Sequence, residues 1–179
     1  MSLQSFCFFT SLILIVVACC FFPDSEKWTN KLKKLPRSKT LSFISMSLGA
    51  VWFLYRHVLN LSEADFGDYK SIITLVSVFI LVSSFYFTKD FLAVRGICIL
   101  LLFYSREALD AAYLVESQSK LILVTLIYLL IIAALYFGSW PYRMRDFMDY
   151  IFTNKIRSRF LGALLLVNGL LLFQIGFLN

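Results

Sequence analysis

The chain has 179 residues, of which 60% are hydrophobic and 16% are charged, against roughly 45–50% apolar and about 25% charged residues in soluble domains. A soluble fold of this length could not hide so much apolar surface, because small domains keep a large exposed area. The formal net charge of +6 does not indicate nucleic-acid binding, since the basic residues lie between apolar runs rather than in one stripe. The composition therefore indicates a protein of the lipid bilayer.

Six apolar stretches predict the architecture, because a helix needs about 17–25 apolar residues to cross the hydrocarbon core. We expect an all-α, polytopic membrane protein with about six transmembrane helices, packed as three hairpins in one integral membrane domain, 1–179. The fourth stretch is short, so its helix is expected to continue through Glu107 and Asp110 towards Tyr113. The predicted spans are 5–22, 41–59, 71–87, 91–105, 120–138 and 160–178.

The cysteines Cys7, Cys19, Cys20 and Cys98 all fall inside predicted spans, and their spacing suits neither a disulfide framework nor a metal site. We expect buried thiols that act as small hydrophobes. Residues 16–19 resemble a bacterial lipobox, which would make Cys19 a lipidated first residue. However, residues 1–10 contain no Lys or Arg, whereas a secretory signal starts with a basic region. A retained helix is the favoured interpretation.

Small and polar side chains in the second and sixth spans predict faces for helix packing, because small residues let helices approach closely in lipid. In the second span these residues are three and four positions apart, which places them on one side of the helix. Asn168 is expected to add a hydrogen bond between helices. The predicted packing residues are Ser42, Ser45, Gly49, Gly162, Asn168 and Gly169.

Basic and acidic connections alternate along the chain, and cytoplasmic loops are the ones enriched in Lys and Arg. The segments 23–40 and 139–159 are rich in basic residues, and Lys89 with Arg95 marks the short third connection. By contrast, 60–70 and 106–119 carry more acidic than basic residues. The alternation predicts a multi-pass protein of a bacterial-type inner membrane with both termini outside the cytoplasm.

The segment before the sixth span predicts an amphipathic interfacial helix over 142–157. Its apolar residues recur three and four positions apart, with charged residues on the opposite side, as in helices that lie in the membrane interface. Pro141 suits the first turn of such a helix. The apolar positions are Met144, Phe147, Met148, Ile151 and Phe152. We expect the basic loops to contact anionic lipid headgroups.

No Asp or Glu lies in the middle of a predicted span, although such residues mark proton and ion paths. His57 is the only histidine, which excludes a site with several histidine ligands. No catalytic, cofactor-binding or metal-binding motif is present, so no residue is assigned to any of these three roles. The charged and polar residues near span ends that could contact a lipid or ligand are Arg95, Arg56, His57, Arg106, Glu107 and Asp110.

These features favour a non-catalytic function: an accessory, scaffold or assembly subunit bound to other membrane proteins, or to copies of itself, through helix faces. The high aromatic content of 17% fits this interpretation, since aromatic side chains supply interfacial anchors and contact area. A small transporter or channel with Arg95 or the Arg106, Glu107 and Asp110 group on its path remains the main alternative. A lipid-modifying enzyme that uses Arg56 and His57 is a third.

Overall fold

Every regular element that the computed structural model describes is helical, so the all-α prediction is confirmed for that part of the chain. The described residues are 3–23, 25–61, 67–87, 91–113, 115 and 120–178. The α-helices in these ranges are α1 (Leu3–Phe21), α2 (Glu26–Lys34), α3 (Lys39–Phe53), α4 (Lys70–Phe87), α5 (Leu92–Tyr113), α6 (Lys120–Ser139), α7 (Pro141–Thr153) and α8 (Lys155–Leu178). Short 3-10 helices at Leu35–Arg37 and Gly67–Tyr69 precede α3 and α4, and a π-helical segment, Leu54–Val58, continues α3.

Four helices within the described ranges are long and apolar enough to cross a membrane: Leu3–Phe21, Gly67–Phe87, Lys120–Ser139 and Lys155–Phe177. They are consistent with an integral membrane protein. The other two predicted spans correspond to α3 and α5. The α-helical part of α3 ends after 15 residues, and α5 carries charged residues near both ends. The count of six spans therefore stays a prediction.

Three glycines spaced seven residues apart on α8 pack directly against α1. A Cβ at the middle one, Gly169, would lie 2.9 Å from Ile15 Cγ1, so a larger residue would push the two backbones apart. The contacts run in opposite directions along the two helices, which makes α1 and α8 antiparallel and brings the start of α1 and the end of α8 to the same end of the bundle. We call these glycines the glycine seam: Gly162 next to Phe21, Gly169 next to Ile15 and Gly176 next to Cys7.

A second close contact joins α3 to α5, which run parallel. A Cβ at Gly96 of α5 would lie 2.9 Å from Ser45 Cβ and 3.1 Å from the backbone nitrogen of Met46. Further along the same faces, a Cβ at Gly49 would lie at an ordinary 3.4 Å from Ile99 Cγ2. The helices are thus closest at Gly96 and slightly more open at Gly49.

The helix α5 also packs on α6 and α1, and the three share one buried apolar cluster with α8. A hydrogen bond of 2.6 Å between the Thr10 and Tyr104 hydroxyls joins α1 to α5 inside it. Because Thr10 already donates to the Phe6 carbonyl at 2.6 Å, Tyr104 is the donor in this pair. The buried members are Leu3, Phe6, Cys7, Leu14, Tyr104, Ala108, Ala112, Leu123, Ile127 and Leu172.

This packing differs from the predicted three hairpins of consecutive spans. The first span, α1, packs most extensively on the last one, α8, and α5 packs on α3 and α6 rather than on α4. The physical reason is that apolar side chains gain nothing by leaving lipid for an equally apolar partner, so close packing at small residues selects the neighbours. The glycine seam and Gly96 provide that packing between helices distant in sequence.

The short helices α2 and α7 lie side by side at one end of the bundle, which we call the basic end. Lys33 Nζ is 3.0 Å from Asp149 Oδ1, which bridges α2 to α7. The Phe152 ring of α7 stacks on Phe21 at the end of α1, with the ring centroids 5.5 Å apart. The basic side chains of these two connections are Lys27, Lys31, Lys33, Lys34, Arg37, Lys39, Arg143, Arg145, Lys155, Arg157 and Arg159.

A helix is present at the position predicted for the interfacial helix, but it ends earlier than the predicted range of 142–157. The helix α7 spans Pro141–Thr153, and α8 starts at Lys155, before the predicted start at 160. The cause is Asn154, whose side-chain Oδ1 accepts a hydrogen bond of 3.0 Å from the Ile156 amide. Asn is a preferred residue at helix starts for this reason.

The helix α4 stands at the edge of the bundle. It contacts α3 and the π-helical segment, with the Phe43 and Phe85 rings 5.6 Å apart. Nevertheless, no residue of Lys70–Phe87 is buried within the described part of the chain. The described part of the chain therefore leaves its outward apolar face uncovered.

Replacing Gly96 with Ala should destabilise the bundle by about 1–3 kcal/mol, the usual cost of overpacking, because the new Cβ meets Ser45 and the backbone at Met46. Gly49→Ala is the matched control and should change stability little, since its Cβ would have ordinary contacts. Denaturant unfolding in detergent, followed by circular dichroism, measures both. Equal effects of the two substitutions would contradict the close contact at Gly96.

Candidate functional site

A cluster of charged side chains lies at the end of the bundle opposite α2 and α7, where α3 and α5 finish. Arg56 donates from Nε to Glu107 Oε1 at 2.8 Å and from Nη2 to Glu107 Oε2 at 3.0 Å. This two-point geometry matches a guanidinium to a carboxylate and fixes the relative orientation of the two groups. The pair therefore ties the π-helical segment, which continues α3, to α5.

The π-helical segment presents Arg56 and His57 to α5. In this turn the Leu59 amide bonds to the Leu54 carbonyl, five residues earlier, at 3.0 Å. A π turn holds one extra residue and so changes the direction of the side chains that follow, and such turns are frequent at functional sites. The segment thereby brings two polar side chains to α5. Two and three turns earlier, the small residues Gly49 and Ser45 of α3 meet Ile99 and Gly96 of the same helix.

His57 lies against Arg106, with Nη1 of the arginine 2.5 Å from Nε2 of the imidazole. A guanidinium only donates hydrogen bonds, so Nε2 is the acceptor and the imidazole proton is on Nδ1. That nitrogen is buried and has no hydrogen-bond partner among the described residues. The ring itself lies beside Phe53 and Phe103, with centroids 5.7 and 5.5 Å away.

The two carboxylates of the cluster have different surroundings. Glu107 follows the apolar run 91–105, and its side chain is 21% exposed. Both of its carboxylate oxygens accept hydrogen bonds from Arg56. Asp110 is 70% exposed, and its nearest basic atom is Arg106 Nε at 4.0 Å. Asp110 is thus the carboxylate that remains available to a ligand.

An apolar cavity of about 600 Å³ extends from this cluster along α1, α3 and α5, a size within the roughly 300–1,000 Å³ of small-molecule sites. It reaches from Tyr104 to Ala111 along α5, which is about 10 Å at 1.5 Å per residue. The hydrogen-bonded Tyr104 lies at its inner end. The lining residues are Phe6, Phe9, Leu48, Val51, Trp52, Tyr55, Arg56, Tyr104, Glu107, Asp110 and Ala111.

Five of the six residues predicted to contact a lipid or ligand meet in the cluster, namely Arg56, His57, Arg106, Glu107 and Asp110. Arg95 does not. It lies nine residues before Tyr104 on α5, about 14 Å further along the helix, near the basic end. From the sequence, Arg95 is expected either to extend to the lipid headgroups or to pair with Asp90, and Asp90 lies outside the described residues.

The predicted packing residues lie within the chain's own helix contacts. Ser42, Ser45 and Gly49 are buried on α3, and Gly162 and Gly169 face α1. Asn168 differs from the expectation, because its Nδ2 donates to the Leu164 carbonyl of its own helix at 2.8 Å. It therefore adds a bond within α8, whereas a bond between helices was expected.

The thiols are only partly as expected. Cys7 and Cys98 are buried, Cys20 is half-buried and Cys19 is exposed. No group of three or more His, Cys, Asp or Glu side chains in the described part of the chain is arranged to hold a metal ion. In the cluster, His57 Nε2 faces a guanidinium, and Glu107 is already bonded to Arg56.

Sequence reasoning missed the pairing of Arg56 with Glu107 and the Thr10–Tyr104 hydrogen bond. The partners are 51 and 94 residues apart, so no local spacing reveals them. A signal did exist for Tyr104, since a tyrosine inside an apolar run needs a partner for its hydroxyl. The available partners were simply too numerous to choose from sequence alone.

The geometry predicts unequal coupling in two double-mutant cycles. Arg56→Gln with Glu107→Gln should show a clear stabilising coupling, because the pair is bidentate. Arg106→Gln with Asp110→Asn should show almost none, because that pair is exposed and 4.0 Å apart, and exposed pairs contribute little. Unfolding midpoints of the six variants and the parent in one detergent give both values. A larger coupling for the second pair would overturn this description.

Comparisons with known proteins do not add a family. No protein-family model matches the chain, and no curated protein or solved structure matches it at a significant level. The function of the protein is therefore inferred from the contacts, burial and charge of its own residues.

Proposed function

We propose that this chain is a non-catalytic, six-span subunit of a bacterial-type inner membrane, which holds another membrane protein through α4. The helical rod formed by α3 and the π-helical segment is continuous from Lys39 to Val58. Its 20 residues, like the 22 of α5, reach about 30 Å at 1.5 Å per residue, the thickness of the hydrocarbon core. These lengths support counting α3 and α5 as spans.

The distribution of charge supports the direction of the bundle. Both amphipathic helices, α2 and α7, lie at the basic end and are joined by the Lys33–Asp149 bridge. An end rich in Lys and Arg is the one expected in the cytoplasm. The glycine seam brings the start of α1 and the end of α8 to the opposite end, which corresponds to both termini outside the cytoplasm.

At the basic end, arginines lie on aromatic rings at the level expected for headgroups. Arg157 lies over the Tyr150 ring, 4.2 Å from its centroid, and Arg143 lies over Tyr142 at 5.9 Å. Tyrosine is enriched at membrane interfaces, and nearby basic residues attract anionic lipids. We infer that α2 and α7 rest on the anionic cytoplasmic leaflet.

The observation that carries the scaffold proposal is a stripe on the outward face of α4. Its residues are three and four positions apart, the spacing of a helix that packs along another helix. Leu75 and Phe79 are each 69% exposed, and Tyr86 is 74% exposed, so the described part of the chain leaves the stripe uncovered. We call this set the α4 stripe: Ile72, Leu75, Phe79, Val82 and Tyr86.

Contacts on the α4 stripe should be lost when Leu75 and Phe79 are both replaced with Ala. Phe160 and Leu164 on α8 give a matched control, since they are also a Phe and a Leu four residues apart and exposed. Purification in mild detergent, with the mass of the particle measured by light scattering, should show a complex for the parent and the Phe160→Ala/Leu164→Ala variant. The Leu75→Ala/Phe79→Ala variant should be recovered as a monomer.

Recovery of the parent itself as a lone monomer would contradict the scaffold proposal. Loss of the complex in both double variants would equally count against the α4 stripe, because the two surfaces would then be equivalent. A photo-reactive residue at position 79 separates self-association from binding to a different protein, since the mass of its adduct identifies the neighbour.

A small carrier is the second candidate, and the cavity beside Glu107 and Asp110 is what favours it. The cavity lies in one half of the bundle, and towards the basic end α3 and α5 close together at Gly96 and Ser45. A carrier would have to separate these helices during transport. If this alternative holds, Asp110→Asn abolishes transport while Arg95→Ala, outside the cavity, does not.

A further inference from the structure

The cavity between α1, α3 and α5 has walls suited to a hydrocarbon chain. Most of its lining is aromatic or aliphatic, and a ligand site of this type takes a largely apolar body with a few polar anchors. Several wall residues are also open to the side of the bundle: Phe9 is 50% exposed, Leu48 53% and Val51 62%. These walls therefore suit the acyl chain of a lipid that enters the cavity sideways from the bilayer.

The polar end of the cavity carries charges of both signs. Arg56, Glu107 and Asp110 line it, so two carboxylates stand beside one guanidinium. Glu107 occupies Nε and Nη2 of Arg56, while none of the described residues accepts a hydrogen bond from Nη1. Asp110 is exposed and only loosely paired with Arg106, at 4.0 Å.

This arrangement selects among lipid headgroups. A phosphate suits the Nη1 edge of Arg56, but a headgroup with phosphate alone would supply no cation to the exposed Asp110 carboxylate, whose bridge to Arg106 is long, at 4.0 Å. A primary ammonium has three N–H donors and suits Asp110. A quaternary ammonium has no such donors and would bind to the aromatic walls at Trp52 and Tyr55 instead.

We propose that this cavity binds a phospholipid that carries a primary amine, with its ammonium on Asp110, its phosphate on Arg56 and one acyl chain along Phe9, Val51 and Trp52. The position of the cluster at the ends of α3 and α5 places the headgroup at the membrane surface and the chain in the hydrocarbon region. The site is independent of the α4 stripe, which lies on a different helix.

The fluorescence of Trp52 reports occupancy directly, because Trp52 lines the cavity. The variant Trp28→Phe/Trp140→Phe leaves Trp52 as the only tryptophan, since the chain has three. It is reconstituted in vesicles of fixed composition that contain phosphatidylethanolamine, phosphatidylglycerol and phosphatidylcholine. In each sample only one of the three classes carries brominated acyl chains, which quench tryptophan on contact.

The expected result is that brominated phosphatidylethanolamine quenches Trp52 several-fold more, per mole of lipid, than either other class. Asp110→Asn should remove this preference while leaving general quenching by lipid unchanged. The matched control Asp68→Asn, an exposed acid on the segment before α4 and outside the cavity, should retain it. A second control keeps Trp28 as the only tryptophan, on α2, and should show no preference.

Equal quenching of Trp52 by the three lipids would overturn the proposal, and stronger quenching by phosphatidylglycerol or phosphatidylcholine would assign the cavity to a different headgroup. A preference that survives Asp110→Asn would likewise refute the role of that carboxylate. The quenching series on the Trp28→Phe/Trp140→Phe protein leaves Arg56, Glu107 and Asp110 unchanged, so the proposal stays testable even if the Asp110→Asn variant folds poorly. Circular dichroism shows whether each variant has kept its helical structure.

Discussion

The close contact between the first and last helices sets the form of this bundle. Apolar side chains gain no hydrophobic free energy by moving from lipid to a neighbouring helix. Close approach of the two backbones therefore determines which helices pack together. The glycine seam allows such an approach along the whole of α1, from Cys7 to Phe21. Because α1 and α8 are antiparallel, the two chain ends share one end of the bundle. The even number of membrane crossings that we propose requires this arrangement.

The two ends of the bundle differ in how their charges are used. At the basic end, the connections 23–40 and 139–159 carry many more basic than acidic residues, and the bridge from Lys33 to Asp149 joins α2 to α7. At the opposite end, charges of both signs pair between helices, with Arg56 on Glu107 as the best geometry. The first arrangement suits attraction to an anionic leaflet. The second suits recognition of a ligand beside an apolar cavity.

The sequence predicts those features that depend on local pattern. Apolar runs locate the long helices, and the polar end of α5 is expected to continue towards Tyr113, where the helix does end. Charges near span ends single out the residues of the cluster, but not that Arg56 meets Glu107, since that contact depends on how α3 lies on α5. Gly96 was not singled out from the sequence for the same reason, because its role in close helix packing depends on Ser45 of another helix. The helix start at Asn154 was readable from its residue type.

The proposed direction of the bundle is tested by determining which side of the membrane each part of the chain reaches. Single cysteines are placed at Gln4, at Tyr150 and after Asn179, with the four native cysteines replaced by Ser, and intact cells are treated with a membrane-impermeant maleimide. We predict labelling at Gln4→Cys and at the added C-terminal cysteine, and labelling of Tyr150→Cys only after permeabilisation. Labelling of the two chain ends from opposite sides, or of Tyr150→Cys together with both ends, would contradict this direction.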